Sequence, residues 1–125
     1  MVDNRLYVFG GYDGRHNHNA LWILDCDTWT WSQPHVSGTP PAGRNGHSAT
    51  LVRSRAPSPG AKGGERRLIV FVGGWLGVGP LAATDLCLLD VDELAWVVPA
   101  AAAGGGGLGA PGPCNMHTAD WVPGA

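Results

Sequence analysis

Leu6-Tyr7-Val8-Phe9-Gly10-Gly11 returns 63 residues later as Ile69-Val70-Phe71-Val72-Gly73-Gly74. Each run is short, rich in β-branched and aromatic residues, and continuous instead of alternating, which predicts a strand buried on both faces. The glycine pair that closes each run lets the backbone turn and approach a neighbour, through positive φ or the missing Cβ. A phosphate-cradling loop would need the Walker spacing ending in Lys-Ser/Thr, or a GxGxxG opening a helix, and neither is present.

Two further blocks return in the same order. Leu21-Trp22-Ile23-Leu24-Asp25-Cys26-Asp27 with Trp31 is echoed by Leu86-Cys87-Leu88-Leu89-Asp90-Val91-Asp92 with Trp96, at an offset of 65. Pro41 followed by Asn45-Gly46-His47-Ser48-Ala49 is echoed by Pro111 followed by Asn115-Met116-His117-Thr118-Ala119, at an offset of 70. In the second block, Asp25 and Asp90 suit tight turns, because Asp side chains bond nearby backbone amides. The remaining oxygen ligands of a calcium loop are absent. Trp31 and Trp96 then fall on the returning strand of each hairpin, where a large ring can cover the neighbouring sheet. In the third block, a polar Asn-x-His-Ser/Thr motif runs into an apolar strand. His47 and His117 read as framework residues whose imidazoles bond backbone groups, since no carboxylate or Cys partner recurs at ligand spacing.

Composition agrees with this reading. The chain holds 20 glycines and 10 prolines among 125 residues, roughly twice average usage. Each interior Gly costs about 1 kcal/mol and each Pro about 3 kcal/mol in a helix, so bundles and coiled coils are excluded. Disorder throughout is excluded by a 44% hydrophobic content with six Trp, enough apolar surface to build a core. Net charge is −2 with a pI near 6.1, which supports neither nucleic acid nor a membrane surface as partner. The basic stretch Arg53 to Arg67 reads as a solvated loop. Cys26, Cys87 and Cys114 are odd in number and lack CxxC spacing, which fits a reducing compartment. No signal segment opens the sequence and no apolar run approaches the roughly 18 residues of a membrane span. A soluble, cytoplasmic protein is the expectation.

The order of blocks, with apolar run and Gly-Gly, then a hairpin marked by Asp and Trp, then Pro, Arg and His before the next strand, resembles the kelch repeat family. The resemblance covers nearly the whole chain; the second copy departs from it at Cys114, where the first has Arg44. It implies an all-β fold of antiparallel four-stranded blades of a kelch-type β-propeller. About two blades are present, in an incomplete ring. Residues 1–46 form a partial blade and its connecting loop, with strands b, c and d near 5–10, 20–25 and 29–33. Residues 47–98 form a complete blade, with strands a to d near 47–52, 67–73, 85–90 and 94–98 and a basic loop at 53–67. Residues 99–116 are a Gly/Ala-rich connection, and 117–125 hold the first strand of a following blade, near 117–122. Neither the basic loop nor the Gly/Ala-rich connection is expected to be ordered. Two blades cannot close a ring of 4 to 8. The chain therefore reads as a fragment of a longer propeller or as a subunit that assembles.

In an antiparallel blade the b-to-c and d-to-a connections emerge on one face, here 12–19, 34–46, 75–84 and 99–116. The resemblance implies that this face docks a protein or peptide, and Tyr12, Asp13, Arg15, His16, His18, His35, Arg44 and Trp75 are the expected contacts, against the alternative that such loops are plain polar connections. Gly10, Gly11, Gly73, Gly74, Asp25, Asp90, Trp31, Trp96, His47 and His117 are expected to be framework. His16-Asn17-His18 lacks the ββα frame and further ligands of a metal nuclease. No catalytic set, cofactor or metal is expected. A propeller enzyme with a metal or substrate at its central channel is one alternative; the other is a structural subunit that closes a ring by pairing its last strand with the next copy.

Overall fold

The computed structural model describes residues 1–55, 64–78, 86–98 and 112–124. Seven strands form within two residues of the positions that the repeats predict: β1 (Arg5–Phe9), β2 (Leu21–Asp25), β3 (Thr30–Ser32), β4 (Ser48–Ser54), β5 (Arg66–Val72), β6 (Cys87–Asp90) and β7 (Ala95–Val97). They make two antiparallel sheets of order β1-β2-β3 and β4-β5-β6-β7, with no closed ring. Register follows the duplication: Leu24 opposes Trp31 in the first sheet as Leu89 opposes Trp96 in the second.

The hairpins repeat atom for atom. Asp25 Oδ1 accepts the amides of Asp27 and Thr28 at 2.9 and 3.1 Å, and Asp90 Oδ1 accepts those of Asp92 and Glu93 at 3.0 Å each. Trp29 and Leu94 close the two turns at φ 56° and 48°, a left-handed conformation that the paired Asp caps hold in place. Asp90 carries an additional load. It is 1% exposed, and its other oxygen receives Arg66 Nε at 2.8 Å.

The core lies between the sheets. Val2, Phe9 and Leu21 from the first meet Ile69, Phe71, Leu89 and Val91 from the second, with Tyr7, Val36, Leu51, Cys87 and Trp96 against them. At its centre the Phe9 ring sits 5.0 Å from Phe71 and 5.2 Å from Trp96. Tilted and edge contacts of this kind add about 0.5–1.5 kcal/mol per pair beyond area burial. Arg67 ties the sheets at their rim, donating to Asp3 and Asp92 at 2.6 Å each.

Each glycine pair docks its sheet under the chain segment that follows that sheet's last strand. Gly11 N–H donates to the Arg44 carbonyl at 2.8 Å, and Gly74 N–H donates to the Cys114 carbonyl at 2.9 Å. All four glycines have positive φ, +74° and +102° in the first pair and +65° and +100° in the second. A Cβ at Gly10 would stand 2.6 Å from the Arg44 oxygen and 3.0 Å from His47 Cε1. At Gly73 it would overlap the Cys114 carbonyl and stand 2.8 Å from His117 Cε1. Cys114 thus occupies the backbone position of Arg44 without its guanidinium.

Two expectations are corrected. Arg53 and Ser54 continue β4, and Arg66 and Arg67 open β5, so the basic stretch is not one solvated loop. Its ends pair in the ladder, and Arg66 and Arg67 find carboxylates at Asp90, Asp92 and Asp3. The strand expected near 117–122 is not formed. That segment runs beside the second sheet, held by side chains: Ser48 Oγ lies 3.0 Å from His117 Nε2, and Thr50 Oγ1 donates to the Ala119 carbonyl at 2.8 Å. A ladder needs the blade's second strand, which is not among the described residues. The central part of the basic loop and the Gly/Ala-rich run 99–111 lie outside the described residues. Among those described, no helix is long and apolar enough to cross a membrane.

Candidate functional site

The loop after β1 is shaped by one carboxylate. Asp13 Oδ1 accepts the amides of Arg15 and His16 at 2.7 Å each, and Oδ2 lies 2.9 Å from His18 Nε2. These bonds hold the Asp13 pKa down at about 2, the two backbone amides contributing first and the His18 ring after them. A bridge between Tyr12 and Asn17 closes the loop into a small hairpin.

The corresponding loop of the second sheet begins at Trp75, and the crossing chain between the sheets joins the two. Asn45 and Trp75 exchange backbone hydrogen bonds at 3.1 and 2.7 Å. Asn45 Nδ2 donates to Asn17 Oδ1 at 2.6 Å. Gly43 passes so close to Asn17 that any Cβ there would overlap the Asn17 carbonyl. A cleft of about 470 Å³ results, lined by Tyr12, Arg15, His16, Asn17, Gly43, Asn45, Trp75, Leu76 and Gly77.

Four of the expected contact residues, Tyr12, Arg15, His16 and Trp75, therefore share one cleft. Tyr12 and Trp75 are 59% and 44% exposed, so each offers a ring face. Asp13 and His18 brace the wall behind them without lining it. His35 is exposed but lies outside the lining. Arg44 is corrected: it is 1% exposed, with Nε donating to the Ala42 carbonyl at 3.1 Å and Nη1 to the Gly73 carbonyl at 3.2 Å. Its guanidinium fastens the crossing loop to the second glycine pair and is not presented to a partner. The sequence reading missed Asn17, Gly43, Leu76 and Gly77 as lining residues. Asn45 had a signal, its recurrence as Asn115, and Asn17 lay unremarked between two histidines.

Among the described residues the lining holds the Arg15 cation, the Tyr12 and Trp75 rings, the His16 imidazole and the amides of Asn17 and Asn45. Such a surface can stack on apolar side chains, bond peptide groups and attract negative charge. Among the described residues no group of three or more His, Cys, Asp or Glu is placed to hold a metal ion. Of the framework residues, His47 packs at 5.5 Å from Phe9 and 5.9 Å from Phe71. Burial, reinforced by the Arg44 charge, pushes its pKa below the ordinary histidine value. The Nδ1 atoms of His47 and His117 have no hydrogen-bond partner among the described residues, whereas His47 bonds the Phe9 backbone and His117 Nε2 lies 3.0 Å from Ser48 Oγ.

A model of the KLHDC2/KLHL20/DRC7 Kelch-repeats domain matches residues 1–102. Curated relatives include the Rab9 effector protein with kelch motifs of Bos taurus, 37% identical over 94 residues, which is 75% of this chain and 22% of that protein. The Homo sapiens protein of the same name is 35% identical over 96 residues, 77% of this chain and 23% of that protein. Kelch domain-containing protein 3 of Rattus norvegicus is 26% identical over 99 residues, 78% of this chain and 22% of its own length. The matched region thus spans less than a quarter of each of these relatives.

Proposed function

The chain belongs to the kelch-repeat family, and from that premise we propose that it is a protein-interaction module that takes a protein or peptide into the cleft of its loop face. The observation that carries this reading is the convergence of Tyr12, Arg15, His16 and Trp75, from loops some 60 residues apart in sequence, on one cleft. Tyr, Trp and Arg are the residue types that most often anchor interfaces. A backbone bridge and an Asx-capped hairpin hold them in place, which limits the ordering cost of binding. The relatives' names, an effector of Rab9 and kelch-domain proteins, support a protein as the bound species and make Rab9 the first defined probe.

The test is a display selection of peptides on the purified chain, alongside titration with Rab9, repeated with Trp75→Ala and Arg15→Ala. Anchor residues are worth about 2 kcal/mol or more, so each variant is expected to weaken binding about 30-fold. The circular dichroism of both should match the parent, because both side chains face the cleft. Ligands that keep their affinity for both variants would place the binding surface elsewhere and refute the assignment.

A further inference from the structure

The polar groups that line the loop-face cleft are unequal in kind. Asn45 and Trp75 satisfy each other's backbone amide and carbonyl, and Asn45 Nδ2 donates to Asn17 Oδ1 at 2.6 Å. With its oxygen taken, the Asn17 carboxamide presents Nδ2 towards Gly77, also in the lining, where a Cβ would stand 3.5 Å from it. Among the described residues the Arg15 guanidinium, the Trp75 indole Nε1 and the Tyr12 hydroxyl find no partner. Against these donors, Asn45 Oδ1 is the one carboxamide oxygen of the described lining left free.

Charge alone does not decide what such a surface takes. Asp13 Oδ1 accepts the amides of Arg15 and His16, and those bonds keep the carboxyl ionised down to a pH of about 2. A fixed anion behind the wall thus offsets the fixed cation of the lining. What remains on offer is a surplus of donors and the ring faces of Tyr12 and Trp75, both exposed.

A ligand suited to this surface brings acceptors and ring-sized apolar groups, and few donors of its own. A prolyl segment meets all three conditions. Each proline has a carbonyl and no N–H, its ring docks against aromatic side chains, and the polyproline II helix leaves every carbonyl free because it has no internal hydrogen bonds. That helix is also preformed, which keeps the ordering cost of binding low. We propose that the cleft takes a proline-rich peptide in the polyproline II conformation, with prolyl rings on Tyr12 and Trp75 and carbonyls bonded by Trp75 Nε1, Asn17 Nδ2 and Arg15. The assignment rests on the reading of the cleft as a protein-binding site and narrows its ligand.

The experiment is fluorescence anisotropy of the purified chain with three labelled dodecapeptides, each capped at both ends. One repeats Ala-Pro-Pro, the second replaces every Pro of the first by Gln, and the third is proline-free and rich in Asp and Glu. The Ala-Pro-Pro peptide is expected to bind and the Gln peptide to lose about 10-fold or more, since the rings and the preformed helix go together. Trp75→Ala and Tyr12→Ala should each weaken the Ala-Pro-Pro peptide about 10-fold. Asn17→Asp keeps an oxygen for Asn45 but removes the presented donor, and should cost about 5-fold. Circular dichroism checks that the variants keep the parent fold. Raising the salt should change the affinity less than about 2-fold, because no anion is bound.

Tighter, salt-sensitive binding of the acidic peptide would overturn the proposal and leave the protein-binding reading in place. Display-selected ligands that depend on Trp75 and carry no proline would do the same. An Ala-Pro-Pro peptide that fails to bind the folded parent, or that binds all three variants unchanged, would overturn the proposal equally. Absence of any Trp75-dependent ligand, selected or synthetic, would remove both readings together.

Discussion

Adjacent glycines at the end of β1 should respond unequally to the same substitution. Gly10→Ala and Gly11→Ala both force an L-residue to positive φ, at +74° and +102°, a strain of roughly 1–3 kcal/mol each. Both also remove the same conformational freedom from the unfolded chain, about 0.4–1 kcal/mol in the stabilising direction, which cancels between them. What differs is space. The new methyl at Gly10 would meet the Arg44 carbonyl at 2.6 Å, His47 Cε1 at 3.0 Å and the His18 carbonyl at 3.3 Å, whereas at Gly11 nothing lies within 4 Å. Two of these neighbours are backbone, one is a ring wedged against Phe9, and none can swing aside. Overpacking of this kind costs about 1–3 kcal/mol, so Gly10→Ala should be the less stable variant by that margin. Urea unfolding followed by the fluorescence of the six tryptophans measures the difference. With a slope of ~1–1.5 kcal/mol/M for a chain of this size, the midpoints should separate by about 0.7–3 M. Equal midpoints, or a lower one for Gly11→Ala, would refute the claim that Gly10 is fixed by close approach and Gly11 by dihedral angle alone.

Three further outcomes are expected. Asp90→Ala, which strands the partly buried Arg66 and two turn amides, should cost about 3–5 kcal/mol, while Asp25→Ala, which uncaps an exposed turn whose cross-strand neighbour Arg5 can turn to solvent, should cost ~1 kcal/mol; thermal melts of the two variants check the order. The Asp13 carboxyl should titrate near 2 by nuclear magnetic resonance. Its contribution to loop order is then complete above the unfolded-chain value of 3.8 and is lost as pH falls toward 2, and Asp13→Asn should remove that dependence. His47 behaves in the opposite sense: its folded-state pKa lies below 6.5, so the unfolded chain binds the proton first and stability should fall as pH drops below 6.5. His47→Phe should flatten that decline in urea midpoints measured across the range.

The strands and hairpins were legible in the sequence because the duplication states each of them twice. A turn written Asp-x-Asp with a Trp on the returning strand has one economical geometry, and both copies adopt it. What the sequence did not carry was the direction in which a polar residue faces. Arg44 sits in a loop of Pro, Ala and Gly and looks exposed, yet carbonyls at Ala42 and Gly73 accept its guanidinium and bury it. Arg66 and Arg67 look like the end of a basic loop, yet carboxylates some 25 residues on draw them into a strand. The cleft was half visible: its aromatic and cationic lining could be nominated from loop position, whereas its Asn17 and Asn45 floor depends on a contact between residues 28 apart, which no local pattern encodes.

The crossing chain between the sheets does more than connect them. Ser37 runs parallel to the outermost strand of the second sheet, taking the Trp96 amide on its carbonyl at 2.8 Å and giving its own amide to the Leu94 carbonyl at 3.0 Å. Outer strands are where stray β-pairing and aggregation begin, and this strap occupies hydrogen-bonding groups that would template it. β3, the same strand of the first sheet, bonds only β2 among the described residues. Amide hydrogen exchange should therefore be slow at Trp96 and fast along the unstrapped side of β3, and conditions that loosen the chain should recruit misassembly from Thr30–Ser32 first.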